Sequence, residues 1–241
     1  MEVDEYRRMA EMEDSHWWYT AVRELLAQEL GPYLVQGGRF LDAGGGTGAT
    51  GGWLGERGEL VAADLFPLAL DAYRTLHPRV RQFVAADVQR QPFADGSFDA
   101  ALCVTVLCHQ SIPDPVVAVR ELARVVRPGG TVCLWEPGVR GLWRAHDRVT
   151  HTARRFSLGD LRSAATQAGL VIERATGAFT FLVPPAAAKA VMERGRSSSD
   201  LDRHEGGLGG VLGRVASAER RLLRRVALPA GLSVMVVARR P

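Results

Sequence analysis

The sequence is poor in cysteine and has neither a basic-then-apolar leader nor a long apolar run. Its 241 residues include three cysteines, Cys103, Cys108 and Cys133, each in or beside an apolar stretch. An odd number of thiols in such surroundings argues against a disulfide framework and predicts reduced core residues in a cytoplasmic protein. The longest apolar stretch, residues 179–188, is too short to span a bilayer. We therefore expect no integral membrane association.

Concentrated positive charge, internal repeats and a complete metal-ligand cluster are also missing. The formal net charge is only +3, and the arginines are spread along the chain, so nucleic acid is not an expected partner. His146, Asp147 and His151 could suggest metal ligands, but no second Cys/His cluster completes a site, and we expect no metal. The hydrophobic content of 46% suits one large domain with a full core.

The most informative segment is residues 41–48, an apolar strand end that continues into several glycines. Gly44 and Gly46 belong to it, with Asp42 just before them. Glycine is needed there because a Cβ would block left-handed dihedrals and the close approach of a ligand to the backbone. The next apolar run ends at Asp64, where a carboxylate can accept hydrogen bonds from ribose hydroxyls. The pattern predicts a cofactor that contains a nucleoside.

The identity of that cofactor depends on further residues, because residues 46–51 also satisfy the G-x-G-x-x-G pattern of NAD sites, which is weak evidence by itself. Asp42 would repel a pyrophosphate but suits the ammonium group of a methionine-type cofactor. Asp87 ends a third apolar run and could accept from an adenine amino group. With Arg-Pro-Gly-Gly at 127–130, these features resemble the class I S-adenosylmethionine-dependent methyltransferases over residues 39–137. The resemblance implies S-adenosyl-L-methionine as cofactor, and an NAD-dependent oxidoreductase is the weaker alternative.

Short apolar runs alternate with helical patterns, which predicts an α/β fold with a Rossmann-like doubly wound sheet. We expect seven strands, mostly parallel with the last antiparallel, near residues 39–44, 59–65, 80–86, 98–106, 130–136, 170–180 and 232–239. Helices are expected at residues 48–54, 67–76, 114–126 and 157–168. The ends of the first four strands carry Asp42, Asp64, Asp87 and residues 105–109, the edge where such folds bind ligands.

The whole chain is expected to form a single methyltransferase domain. Its expected parts are an N-terminal helical lid, a cofactor-binding core, a helical insertion and a last strand, at residues 1–35, 36–182, 183–229 and 230–241. In the insertion, a helical stripe runs from Leu208 to Val226 with arginines mostly off it. The stripe favours packing on its own domain, and a homodimer through residues 183–229 or a membrane-surface contact are the alternatives.

The flanks sharpen the resemblance. His-Trp-Trp-Tyr at 16–19 with Arg23, residues 146–156 and residues 228–233 are similar to a bacterial methyltransferase subfamily that often tailors secondary metabolites or polysaccharides. A lid helix would exclude water, and the aromatic face of Trp18 would favour a sulfonium cation. Plain packing of the helix is the alternative for Trp18. Arg23 could pair with the cofactor carboxylate or be solvated.

These arguments give a set of candidate site residues. The candidates for cofactor binding are Asp42, Gly44, Gly46, Asp64, Leu65, Asp87, Val88, Val104, Trp18 and Arg23. Val104 enters because a backbone carbonyl near the end of the fourth strand could reach the cofactor's amino group. His151 and His146 are the catalytic candidates, since histidine has a pKa near neutrality and can act as a base. His109 is interpreted as architectural.

The predicted function is methyl transfer to an oxygen, nitrogen or carbon of a small-molecule acceptor. One alternative is an enzyme that uses the same cofactor for cyclisation or rearrangement, and another is a non-catalytic cofactor-binding protein. Methyl transfer yields S-adenosylhomocysteine, whereas cyclisation of the aminobutyryl arm yields methylthioadenosine.

Overall fold

The computed structural model describes residues 10–13, 16–192 and 209–241. Its strands are β1 (Arg39–Ala43), β2 (Glu59–Asp64), β3 (Gln82–Ala85), β4 (Phe98–Val104), β5 (Val126–Pro137), β6 (Val171–Ala178) and β7 (Ser233–Arg239). Its helices are α1 (Trp17–Leu30), α2 (Pro67–Leu76), α3 (Pro115–Val125), α4 (Ala145–Val149), α5 (Leu158–Gln167), α6 (Val183–Met192) and α7 (Gly209–Leu223). Leu208 and most of the predicted polar link at 197–210 lie outside the described residues.

The seven strands form one sheet in the order β3-β2-β1-β4-β5-β7-β6. Strands β1 to β5 pair in parallel, whereas β7 runs antiparallel to both β5 and β6. The order reverses between β1 and β4, which leaves a crevice at the C-terminal edge of the sheet. The predicted fold class is confirmed.

Two of the helices, α3 and α5, begin where the sequence supplies a cap. Asp114 accepts a hydrogen bond from the Val116 backbone N–H at 2.9 Å, and proline at the first position of α3 fits the fixed dihedral of a helix start. Ser157 and Asp160 form a capping box at the start of α5. These caps explain why the predicted boundaries at 114 and 157 are confirmed.

Both faces of the sheet are buried. Helix α1 packs four apolar side chains against one face, where Val22, Leu25, Leu26 and Leu30 are almost fully buried. Helix α7 packs on α1, since Leu223 is fully buried and the Gln28 amide donates to the Arg220 carbonyl at 3.0 Å. This helix therefore packs on its own domain through Leu223, whereas Val211, Val215, Leu222 and Val226 of the predicted stripe are exposed.

The predicted helix at residues 48–54 is wrong. Turns occupy residues 46–51, and a short 3₁₀ helix follows at Gly52–Glu56. Glycine carries a large entropic cost in a helix, and residues 48–54 include three glycines, of which Gly48 lies at φ +94°. The short helix α4 was not predicted. Among the described residues, every helix is too short or too polar to cross a membrane.

Candidate functional site

A cavity of about 310 Å³ opens at the C-terminal ends of β1, β2, β3 and β4. It brings together eight of the predicted site residues, namely Gly44, Gly46, Asp64, Leu65, Asp87, Val88, Val104 and His151. These residues are spread over more than one hundred positions of the sequence. The parallel strands place them at a single edge, as the alternating pattern predicts.

The glycine segment, by which we mean residues 44–51, forms the wall of the cavity at β1. Gly44 and Gly46 have φ values of +73° and +58°. A Cβ on Gly44 would lie 2.3 Å from Cγ2 of Val106, in the loop after β4. Only glycine therefore fits between β1 and that loop, and the backbone stays open to a ligand.

Asp64 ties the ends of β1 and β2 together. Its Oδ2 accepts a hydrogen bond from the Gly46 backbone N–H at 2.9 Å, and its Oδ1 accepts from the Phe66 N–H at 2.9 Å. Burial raises the pKa of this carboxyl, and the backbone N–H groups oppose that rise. A carboxylate held in this way has acceptor capacity left for hydroxyl groups in the cavity.

Asp87 organises the turn after β3. Its Oδ1 accepts from the Gln89 backbone N–H at 2.8 Å. The Gln89 side-chain amide in turn donates to the Ser111 carbonyl at 3.2 Å. Asp87 therefore links the β3 end to the segment after β4, and both segments line the cavity.

Glu136, at the end of β5, was not predicted as a residue of the site. It is fully buried, and its carboxylate oxygens accept from the backbone N–H groups of residues 106, 107 and 108 at 3.1, 2.8 and 3.1 Å. Burial outweighs these bonds and raises its pKa to about 8. Glu136 fixes the loop after β4, which includes cavity-lining Val106. An isolated acid in an apolar run gives no signal of such a role.

Asp42 is a predicted site residue that does not line the cavity. Its side chain lies beneath the glycine segment and outside the cavity lining, where its Oδ2 accepts from the Tyr73 hydroxyl at 2.8 Å. A Cβ on Gly51 would lie 2.0 Å from that same oxygen. Burial is the main cause that raises the pKa of Asp42 to about 6. The backbone of the glycine segment thus separates this carboxyl from the cavity.

Trp18 and Arg23 of α1 also lie outside the cavity lining. The Trp18 ring packs against Phe179 with a centroid distance of 4.4 Å. The Arg23 guanidinium donates from Nη1 to the carbonyls of Glu13 and Ala49, at 2.8 and 3.0 Å. In this structure Trp18 contacts Phe179, and Arg23 joins the N-terminal segment to the glycine segment.

The two catalytic candidates differ in position. His151 lines the cavity, whereas His146, on α4, does not. Asp147, which lies near both in the sequence, accepts hydrogen bonds at both carboxylate oxygens from Arg155 Nη2, at 2.9 and 3.0 Å. His109 also lines the cavity, and burial lowers its pKa while nearby carbonyls of residues 150 and 151 oppose this. In the described part of the chain, no group of three potential ligands could hold a metal ion.

Backbone strain is concentrated at the same edge of the sheet. Positive φ values occur at four non-glycine residues of the described chain, Thr105, Val139, His151 and Phe179. Three of them follow the ends of β4, β5 and β6, and His151 lies in the cavity wall. Such dihedrals are costly, above all for β-branched valine, and they cluster at functional sites in proteins. The strained residues therefore lie at the same edge of the sheet as the cavity.

Comparison with known proteins gives methyltransferases among the sequence relatives. A family model described as a methyltransferase domain matches residues 41–134. A malonyl-[acyl-carrier protein] O-methyltransferase of Erwinia pyrifoliae is 30% identical over 184 residues, which are 69% of this chain and 68% of that protein. The methyltransferase GfsG of Streptomyces halstedii is 35% identical over 113 residues, 44% of this chain. The match covers only 40% of GfsG, so the chain spans less than half of that relative's length.

Solved structures share the fold at low sequence identity. A Haloferax volcanii methyltransferase in complex with the activator Trm112 superposes with a TM-score of 0.64 at 22% identity, covering 98% of this chain and 94% of that one. The [4+2]-cyclase SpnF superposes with a TM-score of 0.60 at 22% identity, covering 92% and 81%. At these identities the likeness establishes the architecture alone.

Proposed function

The chain belongs to the class I S-adenosylmethionine-dependent methyltransferases, and we propose that it transfers the methyl group of S-adenosyl-L-methionine to an oxygen, nitrogen or carbon of a small-molecule acceptor. The observation that carries this proposal is the convergence of Gly44, Asp64, Asp87 and Val104 on one cavity. Four separate strand ends supply the backbone and acid groups that a nucleoside cofactor with an amino-acid arm requires.

The cavity residues fit this cofactor chemically. In our assignment Asp64 accepts from the ribose hydroxyls, Leu65 and Val88 enclose the adenine, and Asp87 accepts from the adenine amino group. The backbone of Gly44 and Gly46, both at positive φ in the cavity wall, lies under the amino-acid arm in this assignment.

Catalysis requires little beyond orientation, exclusion of water and, for some acceptors, a base. When bound, S-adenosylmethionine supplies a methyl group that its sulfonium has already activated. We assign the base to His151, because its position in the cavity wall allows contact with an acceptor. We assign no catalytic role to His146. The acceptor lies between α1, residues 138–156 and the insertion that begins with α6, with the Trp18 and Phe179 rings as an apolar wall.

Product analysis tests the proposal. The purified chain is incubated with S-adenosylmethionine labelled in the methyl group and with a panel of small phenols, amines and carbon acids. Formation of S-adenosylhomocysteine with transfer of label to one acceptor supports methyl transfer. Methylthioadenosine as the product would instead favour cyclisation, and no cofactor consumption with tight binding would favour a non-catalytic protein.

We also retain a homodimer through residues 183–229 as a proposal. The outer surface of α7 leaves Val211 and Leu222 about half exposed, at 51% and 48%. Light scattering on the wild type and on a Val211→Asp variant tests it, because a dimer through this surface should become a monomer. The cytoplasmic location remains a prediction from the cysteine content.

A further inference from the structure

A buried ion pair lies behind the segment that carries His151. The side chains of Arg155 and Asp147 are 7% and 3% exposed, and neither residue lines the cavity. The guanidinium donates from Nε and Nη2 to both carboxylate oxygens, at 2.9 to 3.2 Å. Burial of two charges costs solvation free energy, which only good geometry and further hydrogen bonds recover. Both are present, because Asp147 Oδ2 also accepts from the Arg144 backbone N–H at 2.7 Å, and Arg155 Nη1 donates to the Gly138 carbonyl at 3.1 Å.

The pair closes a short loop around His151. The Asp147 carbonyl accepts a hydrogen bond from the Thr152 backbone N–H at 2.8 Å, and Arg155 follows three residues later. His151 therefore lies inside the loop whose two ends the ion pair joins. Its φ of +54° is unfavourable for a residue with a side chain, and such a dihedral persists only where the surrounding structure enforces it. The ion pair supplies that constraint on one side.

The loop after β4 holds His151 on the other side. The His151 carbonyl accepts from the Gln110 backbone N–H at 3.0 Å, and Thr152 pairs with His109 as an isolated β-bridge. Both His109 and Gln110 line the cavity. Among the described residues, the other hydrogen bonds of the two ion-pair side chains go to residues 138 and 144, and none reaches the ends of β2 and β3. Loss of the pair should therefore release His151 and leave the cofactor contacts in place.

We propose that Asp147 and Arg155 are positioning residues for His151. The pair holds the imidazole at the acceptor and so sets the turnover, without contact to the acceptor or the cofactor. The inference rests on the proposed function, which assigns the base to His151. A base works only within hydrogen-bond reach of the proton it removes, and a displacement of about 1 Å can cost roughly a hundredfold in rate. The buried pair fixes the segment in one arrangement and so keeps the base in reach.

The test uses Arg155→Lys, which keeps the positive charge but loses the planar group that contacts both Asp147 oxygens. With methyl-labelled S-adenosylmethionine and the acceptor that product analysis identifies, kcat should fall roughly ten- to a hundredfold. Calorimetric affinity for S-adenosylhomocysteine should match that of the wild type. In a His151→Ala background the same substitution should lower kcat by less than about twofold, because the group that the pair positions is already gone.

A second readout needs no acceptor. In the complex with S-adenosylhomocysteine, the imidazole NMR signals of His151, assigned by their absence in His151→Ala, should shift in Arg155→Lys. Arg127→Lys is the matched control, since Arg127 forms a partly exposed ion pair with Asp99 at the opposite edge of the sheet. It should leave kcat and the His151 signals unchanged. If circular dichroism shows that Arg155→Lys unfolds, the uncharged double variant Asp147→Asn/Arg155→Gln replaces it, since it leaves no unpaired buried ion.

Three outcomes would overturn the proposal. They are weaker S-adenosylhomocysteine binding in parallel with the loss of turnover, an equal loss of turnover in the His151→Ala background, and wild-type turnover with unchanged His151 signals. The first would leave the pair a support of the whole domain. Full turnover of His151→Ala would instead refute the base assigned in the proposed function, and the His151 signals of Arg155→Lys would still report whether the pair positions this residue.

Discussion

Single carboxyl groups at strand ends take three different roles in this molecule. Asp64 lines the cavity, and Asp42 packs against the glycine segment and accepts a hydrogen bond from Tyr73. Glu136 accepts hydrogen bonds from three backbone N–H groups. All three follow or end an apolar strand, so the sequence predicts where each one lies along its strand. Their roles depend on groups that the fold brings together: Tyr73 and the glycine segment for Asp42, and the loop after β4 for Glu136. Tertiary packing makes these contacts, so no local sequence pattern predicts the roles.

Substitution of Asp64 tests the cofactor site at the scale of one residue. Asp64→Ala should weaken S-adenosylmethionine binding about ten- to a hundredfold, because charged hydrogen bonds to hydroxyls are lost. The domain should remain folded by circular dichroism. Asp71→Ala, on the exposed side of α2, is the control and should bind normally. Equal calorimetric affinities for Asp64→Ala and the wild type would remove Asp64 from the site.

The two histidines give a second residue-level test. His151→Ala should lower turnover roughly a hundredfold or more on an acceptor that needs a base, with cofactor affinity little changed. His146→Ala should keep near-normal turnover, because His146 does not line the cavity. Steady-state kinetics with cofactor affinity measured separately distinguishes the two. Full activity of both variants would mean that no histidine of this segment acts as base and that positioning alone drives the reaction.

The secondary-structure elements divide into those set by local pattern and those set by packing. All seven strands were predicted within a few residues, since a buried parallel strand is a short apolar run. β5 is longer than predicted and begins at Val126, because the Arg-Pro-Gly-Gly segment remains part of the strand. The prediction of a helix at 48–54 was wrong because glycines disfavour a helix there. Helix α4 was not predicted because a helix of five residues shows little hydrophobic periodicity.

Helix α1 combines an anchored part with the segment that precedes it. Val22, Leu25, Leu26 and Leu30 are buried in the core, whereas Glu13 contacts Arg23 and His77. Hydrogen exchange should therefore slow at residues 10–13 and 16–20 when S-adenosylhomocysteine is added and stay unchanged at 22–30. Equal protection of both parts with and without ligand would show that the N-terminal segment does not respond to the cofactor.

At the scale of the whole molecule, the buried acids make stability depend on pH. The pKa of Glu136 is about 8 in the fold against an ordinary value of 4.5, so between these values the native state holds a proton that the unfolded chain has lost. Its stabilising effect is therefore complete below about pH 4.5 and is lost as the pH rises through 8. The lowered pKa of His109 acts in the opposite direction, but mainly below pH 7.

Urea unfolding should accordingly show the free energy of unfolding falling by about 1 kcal/mol between pH 7 and 8. Glu136→Gln should flatten the dependence in that interval, because it removes the titrating group. The control is Glu173→Gln, whose carboxylate pairs with Arg239 at the surface and which should keep the slope. A wild-type curve that is flat or rising over this interval would contradict the assignment of a protonated Glu136.

The position of β7 constrains the order in which the sheet can close. β6 pairs only with β7 in the described sheet, and β7 alone joins it to β5. During synthesis, residues 171–178 leave the ribosome long before residues 233–239, so β6 remains without its neighbour while more than fifty further residues are made. Pairing across such a separation is intrinsically slow. We therefore expect strands β1 to β5, which carry the cofactor site, to form first. The apolar wall formed by the Trp18 and Phe179 rings should be completed last.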